Sequence, residues 1–355
     1  MKLGAYFLPV AFDSFLHSVE TADRVGYSNA WVCDSQMIWQ DPYVYMARGL
    51  AATEKLVFGT AVTNPITRHP TVTASGHATL ADMHPGRVVL GIGRGDSAIR
   101  TLGLSPARIR DMEAVVPRIR DLLDGKAVNF GERDVRITFA GKPVPIMLGG
   151  SGPRTMRLAG ALADVVTLEL GANPAAASWA IGNVHEGARE AGRDPASIEV
   201  VALCGMWVSG DRDEARAKTR WAPASAMNHL AEVMFNNPEH GMPPELTHLV
   251  ELRRATVQAP TDDPTAGVPS LDGSYDYYGG HCVNDAPHAM WIPDEVIDDF
   301  TLSGDAETVL RKIEDLADVG VSQVAAAFLN DEQAQMERVG REVIPKIGSL
   351  LAARG

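Results

Sequence analysis

Eight short apolar runs alternate with stretches of helical periodicity, and this rhythm restricts the fold more than any other feature of the chain. The runs are 2–8, 30–33, 56–63, 88–93, 145–148, 164–168, 198–208 and 322–329. Between them, 14–25, 42–53, 71–83 and 112–123 fit helices. In the first of these, Phe15, Val19, Ala22 and Val25 recur at the three- and four-residue spacing of one buried face. Strands alternating with helices build βαβ units and a parallel sheet. Eight such units fit a closed α/β architecture, the (β/α)8 TIM barrel, better than an open doubly wound sheet. Two segments break the rhythm. Residues 125–141 read as a small β-excursion, with Val128, Phe130, Val135, Ile137 and Phe139 roughly alternating. Residues 236–293, rich in Pro, Gly, Asp and His, are too long for an ordinary loop and read as a functional insertion or lid after the seventh strand. The 355 residues are therefore expected to form one barrel domain carrying these two additions.

Chemistry in such a barrel gathers where strands end and loops begin, at the C-terminal face. Those positions hold Asp34-Ser35-Gln36, Thr63-Asn64-Pro65, Arg94-Gly95-Asp96-Ser97, Gly149-Gly150-Ser151-Gly152 and Glu169. The fourth run leads straight into Gly91, Gly93 and Gly95. Alternating glycines let a backbone approach a ligand and turn several N–H groups toward an anion. A dinucleotide fingerprint would need glycine at position 96, where Asp96 stands. The second glycine loop, 149–152, leads into a helix expected near Pro153. Proline at a first helical position, with unpaired N–H groups ahead of it, makes an anion site.

Two such loops on adjacent strands are more specific than either alone. No His and carboxylate cluster has metal-ligand spacing, and no H-E-x-x-H, G-x-S-x-G or Walker loop occurs. A hydrolase is weakly supported; a site for a cofactor that carries its own chemistry fits better. Plainer readings stand beside these. Asn64-Pro65 fits simple turn chemistry. His69 is as good a structural hydrogen-bond partner as a catalytic acid. Ser75, His77 and Thr79 read as helix scaffold, and Cys33 as a small buried hydrophobe.

Composition narrows the class. A chain with 45% hydrophobic and 22% charged residues is an ordinary globular sequence, without a run of eighteen apolar residues. Three cysteines, odd in number and far apart, point to a reducing compartment, so a cytoplasmic location is expected. A net charge of −13 argues against a nucleic-acid or anionic-membrane face. It leaves room for an anionic cofactor held by local N–H groups and arginines.

Several segments together resemble the luciferase-like family of flavin-type oxidoreductases, across nearly the whole chain. They are Trp31-Val-Cys-Asp34, Phe58-Gly-Thr-Ala-Val-Thr-Asn-Pro65, His84-Pro-Gly-Arg-Val-Val-Leu-Gly-Ile-Gly-Arg-Gly-Asp96, Gly150-Ser-Gly-Pro-Arg154, Leu158-Ala-Gly-Ala-Leu-Ala-Asp164, Ser303-Gly-Asp305 and Gly320-Val-Ser-Gln-Val324. The chain is most similar to the methylenetetrahydromethanopterin-reductase-like branch, which is usually coenzyme F420-dependent. The resemblance implies a barrel holding F420, or alternatively reduced FMN, at its C-terminal mouth. It implies phosphate on Gly93, Arg94, Gly95, Asp96 and Ser97 and on Gly149, Gly150, Ser151 and Gly152. Asp34, Ser35, Ala61, Val62, Thr63 and Asn64 would lie along the ring, with a non-prolyl cis peptide around Ala61-Val62-Thr63.

One departure matters. Deazaflavin members often carry Asp-His at the end of strand two, and here the pair is Asp34-Ser35. A proton donor must then come from elsewhere, with Asp96, His69, Glu169 and His281 as candidates. Trp207, Tyr275, Tyr278 and Trp291 are the expected substrate contacts, and Tyr277 with His281 either joins them or orders the insertion. The implied activity is hydride transfer between F420 and a small organic substrate. The alternative is a monooxygenase using reduced FMN from a separate flavin reductase, and a third reading is a flavin-binding barrel without catalysis. No metal is implied, and a homo-oligomer is.

Overall fold

The eight runs become eight parallel strands that close on themselves in the computed structural model, which describes residues 1–236, 242–256, 276–283, 286, 289–290, 292–329 and 332–347. In chain order they are β1 (Lys2–Phe7), β2 (Asn29–Val32), β3 (Val57–Thr60), β4 (Val88–Ile92), β5 (Ile146–Gly150), β6 (Val165–Leu168), β7 (Glu199–Val208) and β8 (Gln323–Ala327). Each strand pairs with the next in sequence, and β8 lies between β7 and β1, with Val201 opposite Gln323 and Lys2 opposite Gln323. Closure removes the exposed edges that an open sheet would present. A short strand, Leu302–Gly304, adds to the upper part of β7.

Alternation along the strands sends one set of side chains inward. Trp31, Val89, Met147, Val165, Val201 and Ala325 fill the barrel interior as a core of their own. The Trp31 indole Nε1 donates to Gln323 Oε1 at 2.8 Å, which satisfies the one polar atom of a large buried ring. Space for that ring comes from Gly59: a Cβ there would stand 2.4 Å from Trp31 Cζ3. The larger core lies outside, between strands and helices.

The crossover helices are α1 (Phe12–Val25), α2 (Pro42–Ala52), α3 (Pro70–Met83), α4 (Ile109–Leu123), α5 (Pro153–Leu162) and α6 (Pro174–Glu190). Phe15, Val19 and Ala22 are buried on α1 as their spacing predicts, and Val25 packs half-buried against the core. Four of the six start on proline, whose fixed φ and missing N–H suit a first helical position. Asp41, His69 and Asn173 cap three of these with a side chain; Gly152 leaves the N-terminus of α5 uncapped.

The third strand is shorter than its apolar run. It stops at Thr60, the Ala61–Val62 peptide is cis, and Thr63 resumes pairing as an isolated bridge to Ile92. Residues 125–141 contain an antiparallel hairpin, Val128–Asn129 against Asp134–Val135, with Val128 buried and Val135 and Phe139 exposed. After β7 come α7 (Arg212–Thr219) and α8 (Trp221–Asn236), then a helix over Pro244–Thr256. Much of the predicted insertion 236–293, Tyr275 and Trp291 included, lies outside the described residues. Among the described residues, no helix is long and apolar enough to cross a membrane.

Candidate active site

The C-terminal ends of the strands enclose a cavity of about 800 Å³. That is the size range of a small-molecule or cofactor pocket. Its walls come from Tyr6 on β1, the 33–35 segment after β2, Ala61, Val62 and Asn64 after β3, and the 93–98 loop after β4. The 149–155 loop after β5, Glu169, Leu203 and Gly205 continue the ring, and Trp221, His229, His281 and Cys282 close it.

Backbone pairing sets the floor. Thr63 N donates to Gly91 O at 2.9 Å and Gly93 N donates to Thr63 O at 2.8 Å, which brings the loop after β3 onto the end of β4. Val62 then lies across two glycines. A Cβ at Gly93 would fall 2.7 Å from Val62 Cγ2, and one at Gly149 would fall 3.1 Å from Val62 Cγ1. Gly95 adopts φ +89°, a left-handed conformation that a side chain would strain. The glycines of both loops therefore serve close approach, as their spacing suggests.

Asn64 does two things. Its Oδ1 accepts from Ile66 N at 3.0 Å and Thr67 N at 2.9 Å, which is the turn chemistry expected of Asn-Pro. Its Nδ2 is buried without a hydrogen-bond partner, and the residue lines the cavity. Asp34 is fully buried at the side chain and paired with the Arg68 guanidinium, which also meets Asp41 at 2.8 Å and covers the Tyr43 ring at 4.7 Å. Asp34 Oδ1 has no partner. Burial pushes its carboxyl above the ordinary range, and Thr63 and Arg68 pull it back only in part. Ser35, at the position where a histidine was expected from the resemblance, bonds Ser97 Oγ at 2.5 Å, and Gln36 Nε2 donates to Ala98 O at 2.6 Å. The loops after β2 and β4 are thus tied together.

Asp96 is the hub of the polar groups. It accepts from Arg100 Nε at 2.8 Å and from the Tyr277 hydroxyl at 3.3 Å, and His229 Nε2 stands 3.9 Å away. Burial pushes its carboxyl up, but His229, Arg100 and His281 more than reverse this and hold it below the ordinary carboxylate range. Glu169 behaves oppositely: enclosure raises its carboxyl, His229 opposes and the Asp96 charge adds to the rise. His281 stacks on Trp39, with ring centroids 5.5 Å apart. Burial and neighbouring charges thus shift the two carboxyls in opposite directions beside one imidazole, the pattern of an acid–base cluster. Tyr6 is partly buried and Cys33 buried; desolvation raises both, Cys33 to about 12, so they stay protonated and serve as cavity wall.

Several expectations need correction. His69 is not among the lining residues. Its Nδ1 bonds Thr71 Oγ1 at 2.7 Å at the start of α3, and its ring rests on Phe130 at 5.2 Å, so it is a cap. Trp207 does not line the cavity either; Lys218 Nζ covers its ring at 5.1 Å. Tyr278 is 68% exposed, whereas Tyr277 reaches Asp96. Thr63 is buried in the floor behind Val62 rather than on the wall. Arg94 lines the mouth while its Nε donates to Ala107 O at 2.6 Å, so it also anchors the loop. His77 is scaffold, as expected: it contacts Thr73 O at 2.9 Å, and burial lowers its pKa to about 4.

Sequence reasoning missed Tyr6, Trp221, His229 and Cys282. Alternation along β1 would have turned Tyr6 inward, but nothing in the helical stretch 221–236 marks His229. Among the described residues, no group of three or more His, Cys, Asp or Glu is arranged to hold a metal ion.

Comparison with known proteins agrees with this architecture. The chain is 29% identical to a 5,10-methylenetetrahydromethanopterin reductase of Archaeoglobus fulgidus, over 98% of this chain and 100% of the relative. It is 30% identical to one of Methanopyrus kandleri, over 93% of each. The solved structure of the coenzyme F420-dependent tetrahydromethanopterin reductase of Methanopyrus kandleri matches with a TM-score of 0.75 at 25% identity, covering 98% of this chain and 99% of that one. The model of the luciferase-like monooxygenase family matches residues 4–323. With that span of sequence and this closed barrel, the chain belongs to the luciferase-like monooxygenase family.

Proposed function

We propose that the chain is an oxidoreductase that binds coenzyme F420 in the barrel mouth and transfers hydride between it and a small organic substrate. One observation carries the fit. Among the buried polar atoms on the cavity wall, Asp34 Oδ1, Asn64 Nδ2 and Ser151 Oγ lack partners, although buried polar atoms are nearly always paired. They supply an acceptor, a donor and a hydroxyl around one pocket, beside two glycine loops. A planar heterocycle with an attached phosphate satisfies such a set. The similarity to F420-dependent reductases along nearly the full chain favours the deazaflavin over FMN.

Bound there, the deazaflavin supplies the two-electron carrier itself. The protein supplies position and protons. Val62 and the loop after β3 would hold the ring system. Ser151 and the uncapped N-terminus of α5 offer donors to phosphate. With serine at position 35, proton exchange falls to the cluster of Asp96, His229 and Glu169, whose two carboxyls are shifted in opposite directions.

Fluorescence titration with F420 and FMN, each oxidised and reduced, tests this reading. The expected result is tight binding of the deazaflavin and weak binding of FMN. Preference for reduced FMN, with oxygen uptake when it is supplied, would replace the reading by that of a two-component monooxygenase. Binding of neither would remove the cofactor assignment.

A further inference from the structure

The cavity has two unlike ends. Among the described residues, every arginine on its wall, from Arg94 to Arg154, belongs to the loops after β4 and β5, where both glycine loops also stand. In a closed ring of strands, β8 and β1 lie across the barrel from β4 and β5. That far arc is built otherwise. Trp221, Ala327 and Leu329 form a small apolar cluster, against which Tyr6, Leu8, Leu203, Ala222 and Cys282 pack. Tyr6, Leu203, Trp221, Ala222 and Cys282 line the cavity, and among the described residues no lysine or arginine joins them on this arc.

Strand register keeps this arc roomy. Tyr6 on β1, Ala327 on β8 and Gly205 on β7 stand side by side in one row, and two of the three are the smallest residues available. A Cβ at Gly205 would stand 2.7 Å from Ala222 Cβ and 3.6 Å from Trp221 Cζ2, so glycine lets the start of α8 settle against β7. Trp221, Ala222, Ser225, Ala226 and His229 then follow one another along the side of α8 that lines the cavity. In this apolar arc one polar atom is unmatched. Trp221 is 8% exposed, and its Nε1–H is buried with no acceptor. A buried indole N–H normally finds one, as Trp31 does in Gln323. The Trp207 indole is unpaired as well, but it lies away from the cavity beneath Lys218.

An indole N–H only donates, so its partner must be an acceptor. With no cation on this arc, a carboxylate or phosphate placed there would be buried without a counter-charge, which is costly. An uncharged carbonyl oxygen carries no such penalty. We infer that the arc of β7, β8, β1 and the start of α8 seats the substrate, that the substrate is an uncharged and largely apolar molecule bearing a carbonyl oxygen, and that Trp221 Nε1 donates to that oxygen and so selects for it. The inference deepens the deazaflavin reading above and rests on it at one point, the placing of the cofactor phosphate at the opposite arc.

Three probes of one ring size separate the contributions: cyclohexanone, methylenecyclohexane, in which a CH2 group replaces the oxygen, and cyclohexanecarboxylate. Each is titrated into the full chain, alone and loaded with F420, and followed by the assigned indole N–H signals of the 15N-labelled protein, which has six tryptophans. Cyclohexanone is expected to move the Trp221 signal downfield and to bind about fivefold more tightly than methylenecyclohexane, the effect of one neutral hydrogen bond. The carboxylate should bind about tenfold more weakly than the ketone. Trp221→Phe keeps an aromatic ring without the donor and should bring ketone and alkene to equal affinity. A thermal melt checks that this variant folds, and the downfield shift tests the hydrogen bond in the wild type without it. No binding of the ketone, equal affinity for ketone and alkene, a gap that survives Trp221→Phe, or preference for the carboxylate overturns the substrate seat and leaves the deazaflavin reading standing. A Trp221 signal moved by F420 alone, with cyclohexanone then excluded, overturns it too, since the donor would belong to the cofactor. Failure of F420 to bind overturns the deazaflavin reading, while the probes still report on the seat in the chain alone.

Discussion

Replacing Arg68 by methionine tests whether the wall of the cavity is built around a buried charge. The Asp34 side chain is 0% exposed and that of Arg68 17%, so Arg68→Met leaves a carboxylate stranded away from water. Its Oδ1 already lacks a partner. Breaking a buried pair from one side costs about 3–5 kcal/mol, and the residual exposure of Arg68 sets the lower end, about 3 kcal/mol. Loss of the guanidinium from the Tyr43 face, 4.7 Å away, adds about 1 kcal/mol. The expected loss at about pH 7 is therefore about 4 kcal/mol in urea unfolding. The sign of its pH dependence follows from Asp34. Burial already holds this carboxyl above its ordinary range, and without Arg68 it rises further. A raised carboxyl favours the protonated native state. Its stabilising contribution is full below the unfolded value of about 3.9 and lost as pH rises through the folded value. The deficit of the variant should thus shrink on acidification, and Asp34→Asn should recover much of it at neutral pH. A loss under about 1 kcal/mol, or one that does not change with pH, would refute the reasoning.

Three further outcomes are expected. Ser151→Ala should leave the unfolding midpoint unchanged to within about 0.5 kcal/mol, since its hydroxyl has no protein partner, but weaken F420 binding about tenfold in a fluorescence titration. Gly59→Ala drives a Cβ to 2.4 Å from an indole that is pinned to Gln323, and should cost about 1–3 kcal/mol by denaturant unfolding without a direct effect on the mouth. Asp96→Asn should cost about 1–2 kcal/mol at neutral pH. Because the folded carboxyl lies below its ordinary value, that contribution is present above the unfolded value and lost as pH falls through the folded one. Wild type and variant should therefore converge in acid, as followed by denaturation from about pH 7 to about pH 3.

The barrel was legible because its signal is periodic and repeated: most strand runs end in small or polar residues, and closure puts the strand ends on one face. Asp34, Asn64, the 93–97 loop, the 149–152 loop and Glu169 could be brought together on topology alone. Other positions depend on contacts that period and composition do not carry. His69 looked available, but a threonine two residues on makes it a cap. Trp207 follows the inward alternation of Leu203 and Gly205, yet lies beyond the cavity, where α7 covers it. His229 sits on α8 with no motif around it, and only packing of that helix over the mouth brings it to Asp96. The missing histidine after β2 was visible; what replaces it was not, because the Ser35–Ser97 contact spans two loops far apart in sequence.

The seam of the barrel has a consequence for how the chain is made. β1 is synthesised long before its partner β8, which pairs Gln323 with Lys2. At about 5–20 residues per second, β1 waits roughly 15–65 s for that partner. Over this interval its free edge, flanked by Leu3, Ala5 and Phe7, is a template for any other extended chain nearby. An unfinished or truncated chain that stops short of Gln323 would carry that edge permanently, so nascent-chain chaperones and aggregation should both act on β1 first.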